Sequence, residues 1–361
     1  MSETVLVTGA FGLVGSATVK RLAADGRRVV ATDLGTPAQR KAAQALPAGT
    51  QARWADLTEP AAVNRLVSEV SPAAIVHLAA VIPPLIYRNA KRARKVNVDA
   101  TAALVRAAAG QPNPPRFIQA SSNAVYGPRN PHRFNDLEHA DTPPKPYDLY
   151  GATKLEAEEQ VQSSSLEWVV LRLGGVFSAD LRDMPVSSDG LSFESALPTD
   201  GRVHTVDVRD VAAAFAAATT ADVAGEILLV AGDESHRLRQ VEIGAALAAA
   251  MGLTGAFSTG RPGDPDSNDD WFVTDWMDTT RAQEALAFQQ HSWPEMLAEM
   301  RANTGWKRYA LRPVRPLVKQ FLKRRAAYRD APGRYADPWG VIRTQLGEPR
   351  VDNPASRAGS T

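Results

Sequence analysis

Along the first half of the chain, short runs that are apolar at nearly every position alternate with longer stretches in which apolar residues recur three or four apart. TVLVTG, RRVVATDL, QARWADL, AAIVHLAA and RFIQASS read as parallel strands buried on both faces. Gly12 to Ala24, Pro60 to Val70 and Arg88 to Ala109 carry the helical spacing between them. Repeated βα units require right-handed crossovers, so the pattern predicts an α/β, doubly wound parallel sheet. A further helix is predicted from near Pro146, carrying YGATKLEAEEQV, followed by the strand EWVVLRLGG.

After Gly175 the rhythm changes. Residues 176–205 look irregular, VHTVDVRDVAAAFAAAT reads as a helix, and EILLVAG as a last strand returning to the sheet. The expected division is a dinucleotide-binding core over 1–175 and a smaller substrate lobe over 176–300, whose strand 226–232 rejoins the core. A basic amphipathic extension follows over 301–347, then a disordered tail over 348–361, rich in Pro, Gly, Ser and Arg.

Composition changes this picture in three ways. No cysteine is present, which excludes disulfides, thiolate metal sites and cysteine nucleophiles. The chain opens directly on TVLVTGAFG without the marks of a secretory signal, and no apolar run is long enough to span a bilayer, so a cytoplasmic location is expected. The net charge of +1 hides an asymmetry: nine Lys or Arg and no Asp or Glu lie between Lys307 and Arg329, leaving the rest of the chain mildly acidic.

The candidate chemistry begins at Gly9-Ala10-Phe11-Gly12-Leu13-Val14-Gly15, between the first strand and the first helix. Glycines there let the backbone turn sharply and approach a pyrophosphate, whose charge meets the free N–H groups of the helix end. Gly9, Phe11, Gly12, Leu13 and Gly15 are therefore cofactor-binding candidates in a Rossmann-type core. Asp33 ends the second strand, where a carboxylate binds both ribose hydroxyls and repels a 2′-phosphate, favouring NAD over NADP. Asp56 and Leu57 are placed at the adenine edge, and Leu78, Ala79 and Ala80 beside the dinucleotide. His77 reads as a structural histidine at a strand end, and no metal site is expected.

Tyr150 and Lys154 lie four apart, on one face of a helix. A nearby ammonium is expected to lower the tyrosine pKa from its reference of about 10, so that Tyr150 exchanges a proton with the reacting oxygen. Ser122, at the end of the fifth strand, is placed to stabilise charge on that oxygen.

In combination, TGAFGLVG, Asp33, HLAA, SSNAVYG and YGATK occur in the order found in the extended short-chain dehydrogenase/reductase family, and residues 4–300 resemble its epimerase/dehydratase and 3β-hydroxysteroid-dehydrogenase-like branches. The resemblance implies Ser122, Tyr150 and Lys154 as catalytic residues, with Tyr150, Lys154 and Asn97 also near the cofactor. It also implies a homodimer paired through helices at about 90–109 and 147–162. Departures narrow the reaction. Asn123-Ala124 stands where dehydratases carry an acidic pair, and Gly175 stands where nucleotide-sugar epimerases carry an Asn that contacts the diphosphate.

Val81 to Ile86, with Met184, Leu191 and Phe193 from the lobe, offer an apolar wall. The leading expectation is reversible hydride transfer between NAD and a secondary alcohol or ketone of an apolar or lipid-like substrate. The alternative is a nucleotide-sugar epimerase with a transient keto intermediate, and the third is an NAD-binding regulatory protein without turnover. Arg209 and Asp210 are read as a structural pair or as substrate contacts. In the extension, Leu317, Val318, Phe321 and Leu322 are predicted along one helical side, which suits packing on the body or peripheral membrane contact through 307–329. No nucleic-acid partner is expected.

Overall fold

The structure, a computed structural model, describes residues 3–184, 187–256, 260–310, 313, 315–329 and 332–350. The strands are β1 (Thr4–Thr8), β2 (Arg28–Asp33), β3 (Thr50–Trp54), β4 (Ala74–His77), β5 (Arg116–Ser122), β6 (Trp168–Leu173), β7 (Gly175–Phe177), β8 (Arg202–Asp207), β9 (Glu226–Val230) and β10 (Arg237–Arg239). Seven form the central sheet in the order β3-β2-β1-β4-β5-β6-β9, and every pairing in it is parallel. The order reverses at β1, and the crevice above β1 and β4 is where such sheets take ligands. β3 departs from the expected pattern: it alternates half-buried and exposed residues, because it is an edge strand.

Two apolar layers cover the sheet. One face packs Val5, Val7, Val76 and Leu171 against the helices Leu13–Ala24 and Val208–Ala218. The other packs Leu6, Ile75 and Phe117 against Pro60–Val70 and Ala100–Ala109. The segment predicted as one helix from Arg88 is helical from Ala90 to Ala109, with a π turn at Lys95–Asp99.

The lobe is more regular than its sequence suggests. β7, β8 and β10 make a second sheet, and Ser188–Ala196 is a helix. The run VHTVDVRDVAAAFAAAT divides: its first residues form β8, and the helix starts at Val208, capped by the Asp207 side chain accepting from the Arg209 N–H. Arg209 and Asp210 do not pair with each other. Arg209 bridges Asp207 and Glu299, while Asp210 holds the His291 ring at 2.6 Å.

The C-terminal region corrects two expectations. Leu317, Val318, Phe321 and Leu322 do not share one environment. Val318 and Leu322 pack on Leu253, Ala248 and Ala256, whereas Leu317 and Phe321 face outward. Nor is the tail free from Glu348 onward. Pro338–Gln345 is a helix, capped by Asp337 accepting from Gly340 N–H at 2.7 Å, and Pro349 O accepts from Leu149 N–H at 2.7 Å. Residues 351–361 lie outside the described residues. Among the described residues, no helix is long and apolar enough to cross a membrane.

Candidate active site

The glycine-rich turn is built by two steric demands. Gly9 has φ of +62°, and a Cβ there would lie 2.8 Å from Ala79 Cα and N. At Gly15 a Cβ would come to 2.1 Å from Gly9 O, so the helix can pack against the turn only without a side chain. Gly12, by contrast, would meet only Gly9 O at 3.4 Å, and it begins the helix with no capping side chain and no acid in the first turn. The first N–H groups are thus left for an anion. Overpacking costs about 1–3 kcal/mol, and at Gly15 it falls on this turn. Gly15→Ala is expected to weaken NAD binding about tenfold or more, measured by calorimetry; unchanged affinity would remove the turn from cofactor binding.

Asp33 lies at the mouth of the same turn, its carboxylate accepting from Leu34 N–H at 2.9 Å and from Phe11 N–H at 3.4 Å. The Phe11 ring stacks on Trp54 at 5.3 Å, and the Arg40 guanidinium lies over the Trp54 ring at 5.0 Å. Trp54 was not among the sequence candidates; its place at the end of β3, beside Asp33 in register, was the available signal. Asp56 accepts from the Thr58 N–H and hydroxyl, holding a local turn. The Leu57 side chain enters the core with Val30 and Leu66. Leu78 and Ala79 donate their N–H groups to Thr8 Oγ1, which brings the end of β4 against the turn, and half-buried Ala80 continues that edge.

His77 closes a hydrogen-bond chain behind this wall. Thr8 Oγ1, already accepting two N–H groups, donates to His77 Nδ1 at 2.7 Å. Nε2 lies 3.0 Å from Thr101 Oγ1, which itself donates to Asn97 O. The ring is therefore neutral, with its proton on Nε2, and burial reinforced by Lys154 lowers its pKa to about 3. Because the unfolded chain takes up that proton first, the stability His77 contributes is complete above about pH 6.5 and is lost as pH falls toward about 3, at up to about 1.4 kcal/mol per pH unit. In urea unfolding across this window His77→Gln is expected to show a slope shallower by up to one proton; parallel curves would refute the assignment.

Ser122 ends β5 and caps the turn Asn123–Tyr126, accepting from Ala124 N–H at 3.2 Å. Tyr150 sits in the first turn of the helix Leu149–Gln162, which packs so closely on that turn that a Cβ at Gly151 would lie 2.3 Å from Ala124 O. This approach brings the Ser122 hydroxyl near enough to the Tyr150 hydroxyl to oppose the rise that burial gives the tyrosine pKa. Asp148 holds the helix start: it accepts from Gly151 N–H at 2.9 Å and from the Tyr87 hydroxyl at 2.6 Å. Burial raises the pKa of both Asp148 and Tyr87.

Lys154 is buried and donates from Nζ to Ala120 O at 3.0 Å, standing 5.9 Å from the centre of the Tyr150 ring. Burial lowers its pKa to about 8, with Glu158 working the other way. The expectation that Lys154 lowers the tyrosine pKa is not met by the chain alone. Burial pushes Tyr150 up to about 12, and what opposes it is the Ser122 hydroxyl. Asn97 is buried in the π turn, its amide accepting from Val81 N–H at 2.7 Å and donating to Val81 O at 2.9 Å and Thr153 Oγ1 at 3.2 Å. It ties the loop after β4 to the helix that carries Tyr150.

Behind Lys154 lies a network the sequence reading missed. Glu158, one turn further on, takes a two-point ion pair from Arg172 of β6, at 3.0 and 2.7 Å. Ser121 donates to the same carboxylate, and Arg172 reaches the Tyr126 hydroxyl at 2.7 Å.

The model of the NAD dependent epimerase/dehydratase family matches residues 5–231. The chain belongs to this family. NAD is the family's cofactor, as Asp33 led us to expect. Among proteins similar to this chain, methionine adenosyltransferase 2 subunit beta of Bos taurus is 33% identical over 174 residues, 48% of this chain and 46% of that protein. UDP-glucose 4-epimerase 4 of Oryza sativa subsp. japonica is 33% identical over 190 residues, 48% of each. The chain thus matches about half the length of these curated relatives. A UDP-glucose 4-epimerase from Thermus thermophilus, solved with NAD, superposes with a TM-score of 0.68 at 23% identity, covering 83% of this chain and 98% of that one, which shows the shared fold.

The glycine turn and the Asp33 carboxylate fit the pyrophosphate and the adenosine ribose, and Lys154, beside Tyr150, would hold the nicotinamide ribose. When bound, NAD supplies the hydride acceptor or donor.

Proposed function

We propose that the chain catalyses reversible hydride transfer between NAD and a secondary alcohol or ketone of an apolar, lipid-like substrate. What carries the reading is the Ser122–Tyr150 hydroxyl pair set against an apolar wall. The Tyr150 ring packs in a cluster with Val81, Leu149, Phe193, Phe272 and Trp339. Phe193 meets Phe272 edge-on at 5.3 Å, and Phe272 stacks on Trp339 at 5.4 Å. Phe193 and Trp339 are buried within this cluster, and its partly buried members beside Tyr150, Val81 and Phe272, would offer a substrate carbon rather than charge. Ile82 and Leu85 are exposed, and Met184 turns its sulfur to Ser178 N–H, so neither Ile82, Leu85 nor Met184 adds to it.

With a pKa near 12, Tyr150 holds its proton at neutral pH and is ready to deliver it to an oxygen gaining charge in reduction. Ser122 would donate to the same oxygen and stabilise the charge it gains.

Toward the lobe, Arg129 pairs with Asp136 at 2.7 Å and Asp275 at 2.9 Å, and Arg202 faces the same Asp275 at 3.6 Å, so these cations are already engaged by acids. A side chain at Gly175 would meet only Val203 Cγ1 at 3.4 Å, Phe177 Cε2 at 3.6 Å and His204 O at 3.9 Å; there is room for one, and the chain supplies none.

The second reading, a nucleotide-sugar epimerase, is supported by the names of several relatives, which include a UDP-glucose 4-epimerase and a probable UDP-arabinose 4-epimerase. Incubation with NAD and a panel of secondary alcohols and UDP-sugars separates the two. Net NADH from an apolar alcohol supports the first, and a new sugar without net NADH replaces it with the second. Bound NAD with no turnover of either class would leave the non-catalytic regulatory reading.

A further inference from the structure

We infer that the face formed by the basic C-terminal arm docks on an anionic lipid bilayer, an assignment independent of the chemistry proposed at Tyr150. A cavity of about 910 Å³ lies at the base of the arm, lined by Arg301, Arg308 and Arg315 together with Thr254 and Tyr309 and, among the described residues, by no carboxylate. The three arginines recur seven apart. Arg308 Nε is buried there without a hydrogen-bond partner among the described residues, while its Nη2 donates to the Tyr309 hydroxyl at 2.7 Å. Three arginines lining one polar hollow match a phosphate-bearing headgroup.

The helix Arg315–Arg325 supplies the second element. Its inward side, Val318 and Leu322, is already accounted for by packing on the body. Leu317 and Phe321, one turn apart, remain 66% and 49% exposed, and Trp306 at the start of the arm is 74% exposed. They stand among Lys319, Lys323, Arg324 and Arg325. Exposed apolar and aromatic residues interleaved with cations fit the headgroup boundary of a bilayer.

The alternatives fit less well. A second copy of this face would set Arg301, Arg308 and the cations of the helix Arg315–Arg325 against their own copies, with no Asp or Glu in the sequence between Lys307 and Arg329 to relieve them. A soluble anion or a nucleic acid would use the arginines but leave Leu317, Phe321 and Trp306 unexplained.

The test is flotation of the full chain with vesicles of phosphatidylcholine alone, or of phosphatidylcholine and phosphatidylglycerol in a two-to-one ratio, at low and high salt. Flotation is expected with the mixed vesicles only, falling as salt screens the arm. Arg301→Gln with Arg315→Gln is expected to lower the partition coefficient about thirtyfold, at the usual contribution of a cation near an anionic surface. Leu317→Ser with Phe321→Ser is expected to remove the binding that survives high salt. These two positions are already exposed, so the second variant carries the test if the first fails to fold; NAD affinity serves as the control. Equal flotation on both vesicles, or flotation indifferent to both variants, overturns the proposal. So does calorimetric binding of inorganic phosphate or duplex DNA without flotation, which would make the cavity a soluble-anion or nucleic-acid site.

Discussion

Tyr150→Phe is expected to lower the rate of hydride transfer by about a hundredfold to ten-thousandfold, the range for a lost general acid or base, with NAD affinity little changed. The phenyl ring keeps its packing against Leu149, Phe272 and Trp339, so the variant removes one hydroxyl and little else. That hydroxyl holds its proton firmly, since burial raises its pKa to about 12. Single-turnover oxidation of NADH with a responsive ketone reads the rate, and calorimetry reads NAD binding. A fall in kcat at unchanged cofactor affinity is the expected signature of an interaction made in the transition state. Retained turnover would take Tyr150 out of the mechanism. Ser122→Ala should act in the same direction with a smaller effect, because it leaves the proton donor in place.

The largest expected effect on stability lies behind the site. Arg172 is 2% exposed and Glu158 fully buried, so Arg172→Leu leaves a carboxylate in the core without its cation. Breaking a buried pair in this way costs about 3–5 kcal/mol, equivalent to roughly 4–7 °C in Tm for a chain of this size. Ser121 would still donate to Glu158, but the Tyr126 hydroxyl would lose its guanidinium partner. Replacing Glu158 by Leu as well removes the stranded charge, and the double variant is expected to recover most of the loss. Urea unfolding of both single variants and the double variant closes the cycle. If Arg172→Leu cost less than about 1 kcal/mol, the range of an exposed pair, the network would not be structural. Lys154 gives the experiment a functional side. Glu158 raises the Lys154 pKa against burial, so the double variant should shift the alkaline limb of the activity profile to lower pH.

Several candidates were legible because local chemistry alone produces them. The glycine spacing at 9, 12 and 15 encodes a turn whatever surrounds it, and Asp33 falls at the end of β2 because an apolar run stops there. Tyr150 and Lys154 share a helix face by periodicity. Other features depended on what the chain folds against. Asp148, Tyr87 and Asn97 position the site from three separate segments, and nothing at 87 or 97 announces a partner sixty residues away. The lobe strand β8 was read as helix because VHTVD runs straight into an alanine-rich helix, and only pairing with β7 and β10 separates them. The end of the chain was read from its composition. Its helix Pro338–Gln345 had a local signature in Asp337, Pro338 and the spacing of Trp339 and Ile342, and its burial against Tyr147 and Phe272 needed the lobe to be in place.

Alternation of apolar runs and helical periodicity was sufficient for the parallel sheet, the anion-binding turn and the pairing of Tyr150 with Lys154, since each follows from interactions within a few residues or from the covering of a sheet by its own crossovers. The protonation of the site was not contained in those patterns. Burial decides that Tyr150 holds its proton, that Lys154 titrates near pH 8 and that His77 stays neutral. Desolvation depends on every segment that excludes water from a group, and those segments meet only in the folded chain.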